Sequence, residues 1–309
     1  MQLIRTLPER FDHATAVAIG NFDGVHRGHG AVLAAMLEAS QAAGLVPSVL
    51  TFEPHPRRLF APQAAMFRLE PLANKLRRLR AAGVARVYMP RFTARFAQIT
   101  AEAFMHDVLG QSLGAKVVVT GENFAFGHGR GGNVALLRQW GTAQDVRIIT
   151  VPPLRVAGAP CSSSAIRAVL AAGDVATAGD MLGRHYCIAG RVRHGDGRGA
   201  GLGFATANLA LPPACKVPAY GVYAVRARLG SHIMDGVANL GVRPSVHANA
   251  TANLEVHLFD MNAMLYGERM EVDFYAQLRG EQKFASLAEL TAQIARDCDA
   301  AKAVLAARV

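Results

Sequence analysis

At 309 residues, 51% hydrophobic and 18% charged, the chain is long enough for two domains with sizeable cores and too apolar to be disordered. Its formal charge of +10 favours anionic partners, and nucleic acid, an anionic membrane surface and phosphorylated small molecules all qualify on charge alone. The cysteines, Cys161, Cys187, Cys215 and Cys298, are far apart and form no Cys-X-X-Cys pair, which excludes zinc-finger and thioredoxin-like readings.

The N-terminus, Met1-Gln-Leu-Ile-Arg-Thr-Leu-Pro, has neither an apolar core nor a small-residue cleavage site, and no apolar run is long enough to span a bilayer. A cytoplasmic protein without a membrane partner is expected. No long Lys/Arg run carries interleaved aromatics, so dedicated nucleic-acid binding is not expected either. The sequence sets no oligomeric state.

Residues 15–19 have strand character, and residues 31–43 carry Val32, Leu33, Met36 and Leu37 at helical spacing up to Gly44. Between them lies Gly20-Asn-Phe-Asp-Gly-Val-His-Arg-Gly-His29. Strand, glycine loop and helix in that order bring backbone N–H groups and the positive helix end to one spot, a place for an anion. His26 and His29, three residues apart, are placed to share charge that builds on such an anion in a transition state. The plain alternative is a solvated loop with idle histidines.

Further along, 47–52, 85–89, 116–120 and 146–151 read as short strands, and 72–82, 101–109 and 134–140 as helices. This alternation predicts a parallel sheet covered by helices, with ligands beyond the C-terminal ends of the strands. Thr51-Phe-Glu-Pro-His-Pro56 follows one such strand as a stiff turn in which two prolines preclude helix or ladder, with His55 at its tip. The strand over 116–120 runs into Gly121-Glu-Asn-Phe-Ala-Phe-Gly127, where the Asn123 amide and the Phe124 and Phe126 rings are suited to an aromatic cofactor. Gly127, Gly129 and Gly132 satisfy Gly-X-Gly-X-X-Gly, but so late a match carries no dinucleotide fold. Ser162-Ser-Ser-Ala-Ile-Arg167 opens a helix reaching Gly173. Its hydroxyls fit helix capping, and with Arg167 one turn on they also fit a second phosphate contact.

Near residue 184 the texture changes to short strands at 187–194, 221–229, 232–240, 254–260 and 270–278, then a helix over 286–307. The expectation is a domain of residues 1–184 followed by a small β-barrel domain of residues 185–309 with an external helix. No Walker loop is present. Instead Gly195-Asp-Gly-Arg-Gly-Ala-Gly-Leu-Gly-Phe-Ala-Thr-Ala-Asn208 offers alternate glycines, including Gly195, Gly199 and Gly203, around which phosphates can be wrapped. Thr206 and Asn208, two apart, face one side of an extended segment and present neutral oxygens suited to Mg²⁺. Glu255 and His257 share one face of a strand whose other face carries Leu254, Val256 and Leu258. On periodicity alone, Glu255 is equally an exposed strand carboxylate.

The stretch from Gly20 to His29 resembles the His-X-Gly-His signature of nucleotidylyltransferases, in the wording of bacterial bifunctional riboflavin kinase/FAD synthetases. Thr51 to Pro56, Gly121 to Gly127 and Ser162 to Arg167 resemble further motifs of that family, with Ser164 in place of Thr and Ala125 where many members carry Arg. If that arginine meets the flavin phosphate, Arg130 is the local substitute. Gly190-X-Val, Leu-Gly-Phe-Ala-Thr-Ala-Asn208, Tyr220-Gly-Val-Tyr-Ala224, Asn239-Leu-Gly-Val-Arg-Pro244, Leu254-Glu-Val-His257, Leu265-Tyr-Gly267 and Leu278-Arg279-Gly-Glu-Gln-Lys-Phe284 resemble its flavokinase module, with Ala205 where Pro is common.

The resemblance implies a Rossmann-like α/β nucleotidylyltransferase domain followed by a small antiparallel flavokinase β-barrel with a C-terminal helix. It implies riboflavin phosphorylation to FMN and FMN adenylylation to FAD with release of pyrophosphate, both using ATP with Mg²⁺. Catalytic residues by this likeness are His26, His29, Ser163, Ser164, Arg167 and Glu255. Binding residues are Gly20, Asn21, Phe22, Asp23, Gly28, His55, Asn123, Phe124, Phe126, Gly195, Gly199, Gly203, Thr206, Asn208 and Arg279, with Thr206 and Asn208 also toward the metal. A cytidylyltransferase, a non-enzymatic flavin carrier and a basic RNA-binding protein are the rival readings.

Overall fold

A computed structural model describes residues 1–61, 68–194, 204–211, 215, 217–242, 252–261 and 265–307. Contacts divide the chain into two compact units, Met1–Ser163 and Ser164–Val309.

The first unit is built on six parallel strands: β1 (Gln2–Ile4), β2 (Thr15–Ile19), β3 (Val46–Leu50), β4 (Arg86–Tyr88), β5 (Ala115–Gly121) and β6 (Arg147–Val151), in the order β1-β4-β3-β2-β5-β6. All five residues of β2 are buried, because both sheet faces are covered. Alternation sends Val17 and Ile19 into a core with Leu50, Tyr88, Phe104, Leu137 and Trp140, and Ala16 and Ala18 into one with Phe22, Leu33, Met36 and Leu79. The chain passes from β2 outward through β3 to β4, then returns to place β5 on the other flank of β2. A crevice at such a reversal is where open α/β sheets bind ligands, and the loops after β2 and β5 flank it.

Three expectations are corrected here. The helix expected from residue 31 begins at Arg27, with His26 as its N-cap, so His29 stands in the first helical turn rather than in a loop. The prolines after β3 do not end regular structure: Glu53 bridges Arg91, and a short helix, Arg57–Phe60, starts directly after Pro56. Proline lacks only an N–H that a first turn does not use. The helix over 101–109 is a single α-turn, Ala101–Ala103, that widens into a π-helix, Phe104–Ser112.

In the second unit the helices Ser163–Ala171 and Val175–Leu182 precede a closed antiparallel barrel. Its strands are β7 (Tyr186–Arg193), β8 (Ala207–Leu209), β9 (Gly221–Leu229), β10 (His232–Val242), β11 (Ala252–Leu258) and β12 (Arg269–Arg279), closing in the order β7-β8-β11-β10-β9-β12. The terminal helix, Leu287–Ala306, buries Cys298, Ala301 and Leu305 against Val222, Ala224, Val237 and Tyr275 on the outside of the barrel. The short strand β8 escapes sequence reading because three residues show no period.

Candidate active sites

In the first unit the site gathers at the N-terminus of the helix Arg27–Ala43. The Nδ1 atom of His26 accepts the His29 backbone N–H at 3.3 Å, which satisfies a helix-end donor and turns the two imidazoles together. The rings stack with centroids 3.7 Å apart, and Phe22 lies 5.0 Å from the His29 ring. Phe22 is fully buried, so it supports His29 from beneath. Among the described residues, His29 Nδ1 is a buried polar atom with no hydrogen-bond partner. Burial first, then the neighbouring His26 and Lys75, holds the His29 imidazole neutral, well below its ordinary proton affinity.

The loop is under conformational tension, since Phe22 and Val25 adopt φ of 49° and 35°, a region costly for bulky and β-branched residues. Gly28 sits in a tight space: a Cβ would come within 3.1 Å of the Cys161 carbonyl and 3.2 Å of the His26 ring. Cys161 also puts its Sγ 3.7 Å from His26 Nδ1. Nothing in the sequence pattern marked that thiol. Asp23 uses both carboxylate oxygens on the Leu69 N–H, at 3.0 and 3.2 Å, and Ser163 Oγ donates to the Asp23 carbonyl at 2.9 Å. Ser163 is thus brought to the histidine loop. Ser164 and Arg167 follow it on the helix Ser163–Ala171, which the contacts assign to the second unit.

The remaining residues expected in this site lie on neighbouring loops. His55 Nδ1 accepts the Arg57 N–H at 3.2 Å and is half-buried, in a segment where Phe52, Phe60, Phe92 and Phe96 form an aromatic cluster. Asn123 is exposed after β5, and the Phe124 and Phe126 rings stack at 5.3 Å. Phe126 faces inward against Phe104, and only Phe124 keeps partial exposure. Gly20 is half-buried and Asn21 exposed. Lys75, from the helix Leu72–Ala81, was missed by motif reading. It donates from Nζ to the Asn21 carbonyl at 2.7 Å and to Thr51 Oγ1 at 2.8 Å.

In the second unit, strand register does the assembling. Asn208 on β8 and Asn239 on β10 both pair with Glu255 on β11. Asn253, two residues before Glu255 and on the same face, donates to Glu255 Oε1 at 2.9 Å and to Asn208 Oδ1 at 3.0 Å. This bridging amide was also missed, since an Asn within a strand carries no distinguishing sequence signal. Leu254, Val256 and Leu258 are buried as alternation requires. Thr206 borders a cavity of about 180 Å³ whose walls include Ala205, Val256, Leu258, Leu265 and Tyr266. His257 Nδ1 lies 2.8 Å from the Ala205 carbonyl. The glycines Gly195, Gly199 and Gly203 lie outside the described residues. Arg279 is engaged structurally: its guanidinium forks onto Asp297 of the terminal helix at 2.9–3.1 Å and also donates to the Gly280 carbonyl.

The FAD synthetase family model matches residues 9–165 and the riboflavin kinase family model residues 182–305. The chain belongs to the bifunctional riboflavin kinase/FAD synthetase family. It is similar to the bifunctional riboflavin kinase/FMN adenylyltransferase of Escherichia coli strain K12, with 43% identity over 301 residues, 96% of each chain. The protein of the same description from Pseudomonas fluorescens is 41% identical over 308 residues, 99% of this chain and 98% of that one. Among solved structures, one described as a macrolide-efflux protein from Streptococcus pneumoniae matches with a TM-score of 0.88 and 29% identity over 96% of this chain and 97% of that one. Among the described residues, no helix is long and apolar enough to cross a membrane. The FAD synthetase match contains the stacked histidines, and the riboflavin kinase match contains the Asn208–Asn253–Glu255 chain.

Proposed function

We propose that the barrel phosphorylates riboflavin and that the histidine site converts the resulting FMN to FAD, with the functional division at 184/185. The observation that carries this reading is the presence, in one chain matched end to end by bifunctional relatives, of two separate and chemically different polar centres. In the first step, the ribityl 5'-oxygen attacks the γ-phosphorus of ATP, the bond from that phosphorus to the β–γ bridging oxygen breaks, and ADP leaves. Glu255 accepts the hydroxyl proton; Asn253 fixes its carboxylate toward Asn208. The donor set of Thr206, Asn208 and a nearby carboxylate suits a hard cation, and Mg²⁺ held there with ATP would offset phosphate charge.

In the second step, a phosphate oxygen of FMN attacks the α-phosphorus of another ATP, the bond from that phosphorus to the α–β bridging oxygen breaks, and pyrophosphate leaves with that oxygen. The attacking phosphate is already an anion, so no covalent enzyme intermediate is required. His26 and His29 stand at a helix N-terminus, and they act by charge stabilisation. Ser163, Ser164 and Arg167 supply further hydroxyl and guanidinium contacts to the polyphosphate. The aromatic residues after β3 and β5, with Asn123, suit the flavin. We assign the protein to the cytoplasm, with small-molecule rather than nucleic-acid or membrane partners.

Two variants test the assignment together. His29→Ala should make FMN from riboflavin and ATP but no FAD, whereas Glu255→Gln should make FAD from supplied FMN but no FMN from riboflavin. FAD formation undiminished in the first variant, or loss of both activities in the second, contradicts the division of labour.

A further inference from the structure

Lys75 belongs to none of the sequence motifs, yet it occupies the root of the histidine site and is only 7% exposed. Its two hydrogen bonds run to neutral atoms, the Asn21 carbonyl and Thr51 Oγ1, and the Thr51 hydroxyl itself donates to the Asn21 carbonyl at 3.1 Å. Three groups from three elements therefore close a triangle. One corner starts the loop that leads into the His26 cap and the helical turn bearing His29, and another starts the loop that carries His55.

The neighbouring carboxylates are engaged elsewhere: Asp23 on the Leu69 N–H, Glu53 with Arg68, and Glu70 with Arg78 at 2.7 Å. Among the described residues, no carboxylate oxygen lies within ion-pair distance of the ammonium. Burial outweighs the attraction of Glu53, Asp23 and Glu70 and draws its proton affinity down to about 8. A buried ammonium held by neutral acceptors costs folding free energy that a methionine of similar length would not. Packing alone therefore does not account for a lysine here.

We propose that Lys75 is a positioning residue for adenylyl transfer, whose ammonium fastens the loops after β2 and β3 at a fixed spacing and so sets where His26 and His29 meet the α-phosphate. This rests on reading the histidine site as the adenylyl-transfer site. Displacements of about 1 Å in such a constellation reduce turnover on the order of 100-fold, mostly without altering ground-state binding.

The test uses the full chain with Lys75→Met. FAD formation from FMN and ATP should lose about 100-fold in kcat. KM values for FMN and ATP should stay within about threefold, the range of a retained ground-state binding mode. Riboflavin phosphorylation should be unchanged, and the thermal midpoint equal or higher. A purely structural lysine predicts the opposite pattern, a lower midpoint with kcat retained, and that result overturns the proposal. If Lys75→Met also loses riboflavin phosphorylation, Thr51→Val decides, because it keeps the ammonium and removes the shared hydroxyl. At least a tenfold loss of kcat there supports the proposal, and unchanged kcat overturns it. A parent chain that makes no FAD from FMN removes the site reading itself, and this inference with it.

Discussion

His26 and His29 are a coupled pair, since the cap that orders the helix also stacks the rings and leaves His29 Nδ1 buried. The neutral state of His29 has a measurable consequence. In the unfolded chain this histidine takes up a proton near pH 6.5, but in the folded chain it does not, so the unfolded state binds more protons below that pH. Its contribution is fully present above about pH 6.5 and is lost as pH falls, by up to about 1.4 kcal/mol per unit. Denaturant unfolding at pH 7 and pH 5 should show a smaller loss in His29→Asn than in the parent; equal slopes would contradict the assignment. At Lys75 the window is alkaline. Stability should rise between about pH 8 and pH 10.5 as the buried group sheds its proton more readily than in the unfolded chain, and Lys75→Met should remove that rise. Asn253→Leu should slow riboflavin phosphorylation by about tenfold through the loss of one charge-assisted hydrogen bond to Glu255, with FAD formation from FMN unaffected.

At the scale of elements, two close contacts hold the site loops and the barrel in place. Gly127 has φ of +74°, and a Cβ there would stand 2.7 Å from the Ala101 amide nitrogen, so Gly127→Ala should cost about 2 kcal/mol and weaken FAD formation. Arg279 and Asp297 tie β12 to the terminal helix, with Asp297 buried. Asp297→Ala leaves the guanidinium without its partner and should destabilise the barrel by about 3 kcal/mol, read as a lower thermal midpoint and earlier loss of riboflavin phosphorylation on heating. The parallel sheet was legible because its strands are continuous apolar runs, and β11 because its alternation is strict. The start of the first long helix was not, because glycines at 28 and 30 disguise a turn that His26 caps. Lys75 was hidden for a related reason. Its role depends on backbone and hydroxyl acceptors 54 and 24 residues away, which no local pattern encodes. Asn253 matters only through strand register, and register is a property of the closed barrel.

At the scale of the whole molecule, the two units carry different solutions to phosphate chemistry. On the function proposed above, a helix terminus with imidazoles serves where an existing phosphate is the nucleophile, and a strand carboxylate with neutral oxygens serves where a hydroxyl must lose its proton. Family likeness made both legible from short motifs, while the expected barrel glycines at 195, 199 and 203 lie outside the described residues. Excess EDTA should stop riboflavin phosphorylation, with recovery on adding Mg²⁺, if the Thr206 and Asn208 oxygens work with a metal-bound nucleotide. The most direct measurement is a single incubation of the full chain with riboflavin, ATP and Mg²⁺, resolved chromatographically over time. FMN should appear first and FAD should follow with one pyrophosphate released per FAD. Absence of both flavin nucleotides, or FMN that never advances to FAD, would contradict the account.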